Sequence, residues 1–200
     1  MHPNGVFRWE DRAAMRALVG EVGFGALFAA TPDGPRVAHV PAVWDGEARL
    51  LFHLARGNAL TRHLAGATAL FTVTGPDGYV SPDWYGLDHN QVPTWNYVAV
   101  ELEGMVAPLD RDGLTRQLDR LAEAQEARLA PKPAWSRAKM EPKAFDALLR
   151  GITGFALDIR AWRGTLKLGQ NKPEAARHAA ADALAAAGRP AIAHWMKALP

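Results

Sequence analysis

Residues 24–55, FGALFAATPDGPRVAHVPAVWDGEARLLFHLA, place three apolar runs around the turn signals PDGP and DGE, with no helical period among them. Apolar runs bounded by Gly, Pro and Asp are what antiparallel strands joined by tight turns require. This stretch constrains the fold more than any other. A parallel sheet would need a crossover of a dozen or more residues between successive strands, and no room is left for one.

The rest of the chain extends the pattern. WEDRAAMRALVGEVG has an acidic start, Met15, Leu18 and Val22 at helical spacing, and a closing glycine, so it predicts a first helix. GNALTRHLAG predicts a small helix opened by Asn58. ATALFTVTGPDGYVS predicts a fourth strand and a further turn at its GPDG, and VPTWNYVAVELEGMVAPL a long fifth strand. DRDGLTRQLDRLAEAQEARLA carries Leu114, Leu118 and Leu121 on one helical face. PKPAWSRAKMEP is a connecting loop, KAFDALLRGI a short helix, and ITGFALDIRAWRGTLKL a sixth strand. KPEAARHAAADALAAAG is a tail helix stopped by Gly188 and Pro190. The expected class is mainly β with added helices (α+β): an antiparallel barrel in one domain, 1–200, with a helical insertion at about 109–150 and a C-terminal helix at about 173–187.

Composition narrows the function. The 200 residues are 48% hydrophobic and 22% charged, enough for a core and too apolar for disorder. Lys and Arg number 23 against 21 Asp and Glu, a formal charge of +2, which lacks the clustered basicity of a tight nucleic-acid binder. With no cysteine, disulfides and thiolate chemistry are excluded. No stretch reaches the roughly 18 apolar residues of a membrane span, and MHPNGVFRWEDR has charges where a secretory signal needs apolar residues. The expectation is a cytoplasmic globular protein.

Three stretches could carry chemistry. SPDWYGLDHNQVPTWNY, residues 81–97, crowds Trp84, Tyr85, Trp95 and Tyr97 around polar Ser81, Thr94 and Asn96. Strand alternation puts Thr94, Asn96, Val98, Val100 and Leu102 on one face, and Trp95, Tyr97, Ala99, Glu101 and Glu103 on the other. The first face is core-like at one end and polar at the other. A buried, unpaired amide there would cost on the order of 1–3 kcal/mol, so Asn96 must bond either neighbouring groups or a polar ligand. The ring-bearing second face suits a subunit seam. FHLARGNALTRHL leads from His53 through Arg56 into a helix near Asn58, an arrangement that can fork a guanidinium onto phosphate beside free N–H groups, although such junctions are common without ligands. TLKLGQNKPE gathers Lys167, Gln170, Asn171 and Lys172 where a strand breaks; it is either a solvated turn or a reader of a heterocycle edge. The seven histidines show no metal-ligand spacing, and there is no G-x-S-x-G, no dinucleotide or Walker glycine motif, and no helix-turn-helix with a basic face.

GPDGYVSPDWY, VPTWNYVAVELEG and KLGQNK occur in that order, alongside GFGALFA, AHVP and HLARGN. Together they resemble the PaiB family of FMN-binding proteins, labelled negative transcriptional regulators. The resemblance implies a flavin-binding split β-barrel, similar to pyridoxamine-phosphate oxidase, that works as a homodimer with FMN. It would put His39 on the strand lining the flavin ring and His53, Arg56 and Asn58 at the ribityl phosphate. Thr94, Trp95 and Asn96 would lie near the ring or the dimer seam, joined by Lys167, Gln170 and Asn171. An alternative is a flavin-dependent oxidoreductase acting on a small molecule, and a third reading is an interaction module without flavin. DNA binding rests on the family label alone. The catalytic residues, if any, are not legible.

Overall fold

Asp11 starts the first helix. Its Oδ1 accepts from Ala14 N at 2.9 Å, satisfying one of the N–H groups a helix leaves unpaired, and α1 (Arg12–Val22) buries Met15, Leu18 and Val19. The computed structural model describes residues 3–199; residues 1, 2 and 200, which the one-domain reading includes, lie outside the described residues. Seven strands follow the predicted order with one addition at the front: β1 (Arg8–Trp9), β2 (Phe24–Thr31), β3 (Gly34–Trp44), β4 (Arg49–Ala55), β5 (Thr68–Val80), β6 (Thr94–Pro108) and β7 (Ile152–Lys167). The sheet order is β1-β7-β4-β3-β2-β5-β6, and β7 also pairs with β6, so the hydrogen-bonded order returns on itself. β1–β7, β2–β3, β2–β5, β3–β4 and β4–β7 all pair antiparallel. This is the antiparallel barrel that the meander predicts, in the split form that the family resemblance implies. Glycine allows β6 and β7 to approach: a Cβ at Gly104 would run into the backbone of Asp158.

The chain falls into two compact units. One comprises Met1–Leu18, Val73–Glu101 and Arg163–Pro200, the other Val19–Thr72 and Leu102–Trp162. In the second, Phe52 and Phe155 stack at 5.7 Å among fully buried Leu27, Phe71 and Leu157. Burying each such ring stabilises by roughly 1.5–3 kcal/mol. α3 (Arg111–Glu126) starts at Asp110, whose Oδ1 accepts from Gly113 N at 2.7 Å. Leu114 is buried as expected, while Leu118 and Leu121 are half-buried and Gln117 is the fully buried member of that face. α2 (Thr61–Leu64) is a single turn, and α4 (Pro142–Leu149) follows the loop after α3.

In the first unit, Val80, Val98, Val100, Leu168 and Leu184 form the core. The tail helix is α5 (Glu174–Ala186). A further helix that the sequence reading did not anticipate, α6 (Pro190–Ala198), begins at Pro190 and pairs with α5. A second correction concerns GPDG at 75–78. It is not a turn: β5 runs straight through it. Its glycines serve close packing instead, since a Cβ on Gly75 would lie 3.1 Å from Val98 Cβ, and one on Gly78 3.0 Å from Leu184 Cδ2. Among the described residues no helix is long and apolar enough to cross a membrane.

Candidate functional site

In the first unit, the polar end of β6 opens into a cavity of about 420 Å³ shared with the turn after β7. Tyr85, Gln91, Thr94, Asn96, Lys167 and Lys172 line it, together with Asn171 and Gly169. Alternation along β6 holds as predicted: Asn96 is 1% exposed on the inner face, and Trp95 is 50% exposed on the other. The buried Asn96 amide is satisfied without its neighbours' backbone. It bonds the Tyr85 hydroxyl, and its Nδ2 donates to Met196 Sδ at 3.4 Å. Burial pushes the Tyr85 phenol above its ordinary pKa, with the Asn96 bond working against that shift.

Two ammonium groups enter the same cavity. Lys167 Nζ donates to Thr94 Oγ1 and, at 2.8 Å, to the Trp95 carbonyl. Burial lowers its pKa from the ordinary lysine value. An ammonium has three N–H donors, so these two bonds leave one for a ligand. Lys172 sits 5.4 Å from the Tyr85 ring centre and donates to Gln91 Oε1. The turn itself is built by Gln170, whose side chain accepts from Leu168 N at 2.8 Å and donates to Leu166 O at 2.6 Å. Gly169 adopts φ +83°, a conformation that favours glycine. The structure therefore joins Thr94, Asn96, Lys167 and Asn171 in one cavity and gives Gln170 to its supporting turn. Trp95 lies on the reverse face, where its Nε1 donates to Asp77 at 3.0 Å and its ring meets Tyr79 edge-on at 6.1 Å.

The other sequence candidates belong to the second unit. His39 is on an exposed face of β3, stacked with Phe24 at 6.5 Å. His53 faces α3, with Nδ1 3.1 Å from Gln117 Oε1. Burial lowers its pKa, and the glutamine bond offsets this only in part. Asn58 folds back on its own loop: Oδ1 accepts from Leu60 N at 2.9 Å, and its carbonyl accepts from Thr61 N at 3.0 Å. The Leu60 and Thr61 N–H groups at this helix start are thus already used, and α2 is too short to add a dipole. Arg56 keeps its guanidinium without a side-chain partner among the described residues, at a second cavity of about 240 Å³. No cluster of three or more potential metal ligands occurs among the described residues.

Sequence reasoning passed over Tyr85, Gln91 and Gln117. Tyr85 had a signal, as part of the aromatic stretch. Gln117 had none, because on a helical wheel it is one polar residue among leucines.

The family described as "Putative FMN-binding domain" matches residues 1–161. The chain belongs to this family of FMN-binding domains. It is 31% identical over 161 residues to "Protease synthase and sporulation protein PAI 2" of Bacillus subtilis, covering 78% of this chain and 76% of that protein. It is also 32% identical over 121 residues to "Uncharacterized protein YKL070W" of Saccharomyces cerevisiae, covering 55% and 71%. Among solved structures, it resembles the flavocytochrome Anf3 of Azotobacter vinelandii (TM-score 0.59, 16% identity, 84% of this chain and 73% of that one). It also resembles the FAD and heme binding protein of Mycobacterium smegmatis (TM-score 0.56, 22% identity, 81% and 74%). At these identities the likeness shows a common fold. Lys167, Gln170 and Asn171 lie beyond the part of this FMN-binding-domain chain that the family covers.

The residues of the first cavity fit the ring of the cofactor. A flavin's pyrimidine edge alternates acceptors with one N–H, and the first cavity offers ammonium, amide and hydroxyl groups beside an aromatic ring.

Proposed function

We propose that this chain is an FMN-binding regulator of the PaiB type, a single domain over 1–200 that works in the cytoplasm as a homodimer. The observation that carries the flavin reading is the first cavity, where Thr94, Asn96, Lys167 and Asn171 converge with Tyr85 on one opening. These side chains are assigned to the polar edge of the flavin ring. Arg56, with His53 and Asn58 on the same segment, is assigned to the phosphate, and His39 and Trp95 to ring-lining or subunit contacts. When bound, FMN supplies a ring that takes up and returns electrons. The protein's part is to hold that ring with the one Lys167 N–H left unused and to shield it with Tyr85 and Lys172.

Dimerisation is supported by exposed apolar surface. On paired positions of β2 and β3, Phe24, Phe28 and Val37 stand 51%, 40% and 46% exposed around His39. In the other unit Trp95 and Tyr79 are also half exposed. A cysteine-free chain needs no oxidising compartment, which supports the cytoplasm. Regulation is proposed to run through a partner protein or a metabolite changed by the flavin, because several basic residues of the insertion are already paired with acids. Arg111 pairs with Asp146, Arg120 with Asp45, Lys132 with Glu126 and Arg137 with Asp119.

The test is the absorption spectrum of the purified protein, followed by calorimetric titration with FMN and FAD. A yellow protein that prefers FMN is expected; equal or tighter FAD binding would remove the FMN assignment. Sedimentation should show a dimer at micromolar concentration, and a flavin-bound monomer would remove the homodimer.

A further inference from the structure

The cavity at the polar end of β6 carries more positive charge than a flavin ring neutralises. Among the described residues its lining holds two ammonium groups, Lys167 and Lys172, and no carboxylate. Lys167 is committed to Thr94 and the Trp95 carbonyl, both uncharged. Lys172 donates to Gln91 Oε1, and Gln91 Nε2 in turn donates to Asp88 Oδ1 at 3.2 Å. The amide fixes the half-buried ammonium in place but brings no charge of its own. Of three N–H donors on Lys172, Gln91 takes one, which leaves two beside the Tyr85 ring. An oxidised flavin ring is neutral, so its edge bonds the remaining N–H of Lys167 and leaves the charge on Lys172 unanswered. A partly desolvated cation without a counter-charge costs free energy that an anion recovers. The same cavity has an apolar side: Phe7 is buried against it, and Val92 is 76% exposed, so an organic body resting there would take apolar surface out of water. No arginine among the described residues lines the cavity to supply the fork that phosphate favours; one ammonium flanked by amides matches a single negative charge.

We infer that the Lys172 side of this cavity binds a small organic carboxylate, with Lys172 as its anchor, Gln91 fixing the ammonium, and Phe7 and Val92 receiving the organic body. The inference rests on the reading that the flavin edge occupies the Lys167 side, and it names the class of compound that stands beside the ring. Lys172 lies in the turn between β7 and α5, so its replacement leaves the core intact.

The test is calorimetric titration of the purified protein, before and after loading with FMN, with benzoate and with benzamide, a neutral molecule of the same shape. Benzoate should bind the FMN-loaded protein and benzamide should not. Lys172→Met should weaken benzoate roughly ten- to a hundredfold and leave FMN affinity unchanged, while Lys172→Arg, which keeps the charge, should retain most of the binding. Circular dichroism checks the fold, and Gln91→Leu, which leaves the lysine in place, should also weaken benzoate and is read in the same way if Lys172→Met does not fold. No benzoate binding, equal binding of benzamide, or benzoate binding unaffected by Lys172→Met overturns the inference. Tighter binding of phenyl phosphate than of benzoate overturns the carboxylate class. If Lys172→Met weakens FMN but not riboflavin, the ammonium serves the cofactor's phosphate and the inference falls. Displacement of benzoate by FMN would overturn its place beside the ring. If FMN does not bind at all while benzoate still binds through Lys172, the flavin assignment falls and the carboxylate site stands.

Discussion

Gly169 and Gly188 form a matched pair that separates stability from ligand binding. They adopt φ of +83° and +80°, in the left-handed region where an L side chain costs about 1–2 kcal/mol. That penalty outweighs what alanine gains by restricting the unfolded chain. The surroundings differ. A Cβ on Gly169 would lie 3.7 Å from Asn96 Nδ2, 3.7 Å from the Tyr85 hydroxyl and 3.8 Å from Arg177 Cγ, whereas one on Gly188 meets nothing within 4 Å. All three distances at Gly169 are ordinary contacts, so neither substitution adds a steric penalty to the unliganded fold. Gly169→Ala and Gly188→Ala should therefore destabilise equally, by about 1–2 kcal/mol. For a chain of this size that is a fall in Tm of roughly 2–8 °C. Binding should divide them. The new methyl at 169 stands at the cavity beside the groups assigned to the flavin, where overpacking costs about 1–3 kcal/mol, or roughly five- to 150-fold in affinity. Gly188→Ala should bind FMN like the unmodified chain. Urea unfolding followed by circular dichroism gives the first comparison and flavin fluorescence titration the second. If the two variants differ in stability by several kcal/mol, the conformational argument is refuted. Unchanged FMN affinity in Gly169→Ala would remove the flavin from this cavity.

The half-buried His53 ring is held below its ordinary pKa of 6.5, so the folded state disfavours its proton. Its contribution to stability is complete above that value and is lost as pH falls below it toward the folded pKa. Urea midpoints between about pH 7.5 and 5 should fall less steeply in His53→Gln, and identical slopes would contradict the assignment. Gly25→Ala should destabilise by at least about 1–3 kcal/mol, because its Cβ would lie 2.5 Å from the Thr72 carbonyl and press into the Phe71 ring; near-native urea stability would show that β2 and β5 can separate there. Duplex DNA should bind no tighter than about micromolar at physiological salt, the range of non-specific binding; sequence-specific nanomolar binding by fluorescence anisotropy would restore direct DNA recognition.

Features set by nearest neighbours were legible in the amino-acid order. The inward face of Thr94–Leu102 follows from a period of two, and the starts of α1 and α3 from Asp11 and Asp110, each capping an amide three residues on. The meander of β2, β3 and β4 followed from its turn residues. Where a residue answers to a distant partner, the local signal misled or was silent. GPDG has turn chemistry, yet Gly75 and Gly78 remain in a strand because Val98 and Leu184 occupy the space a side chain would need. Gln117 became the most buried residue of its face because His53, 64 positions away, bonds it there. The cavity sets Thr94 beside Lys167, 73 residues apart. Backbone propensity acts over a few residues and can be read from composition and period. Which charges and amides share a cavity depends on strand pairing and packing across the whole chain, so only the tertiary structure decided it.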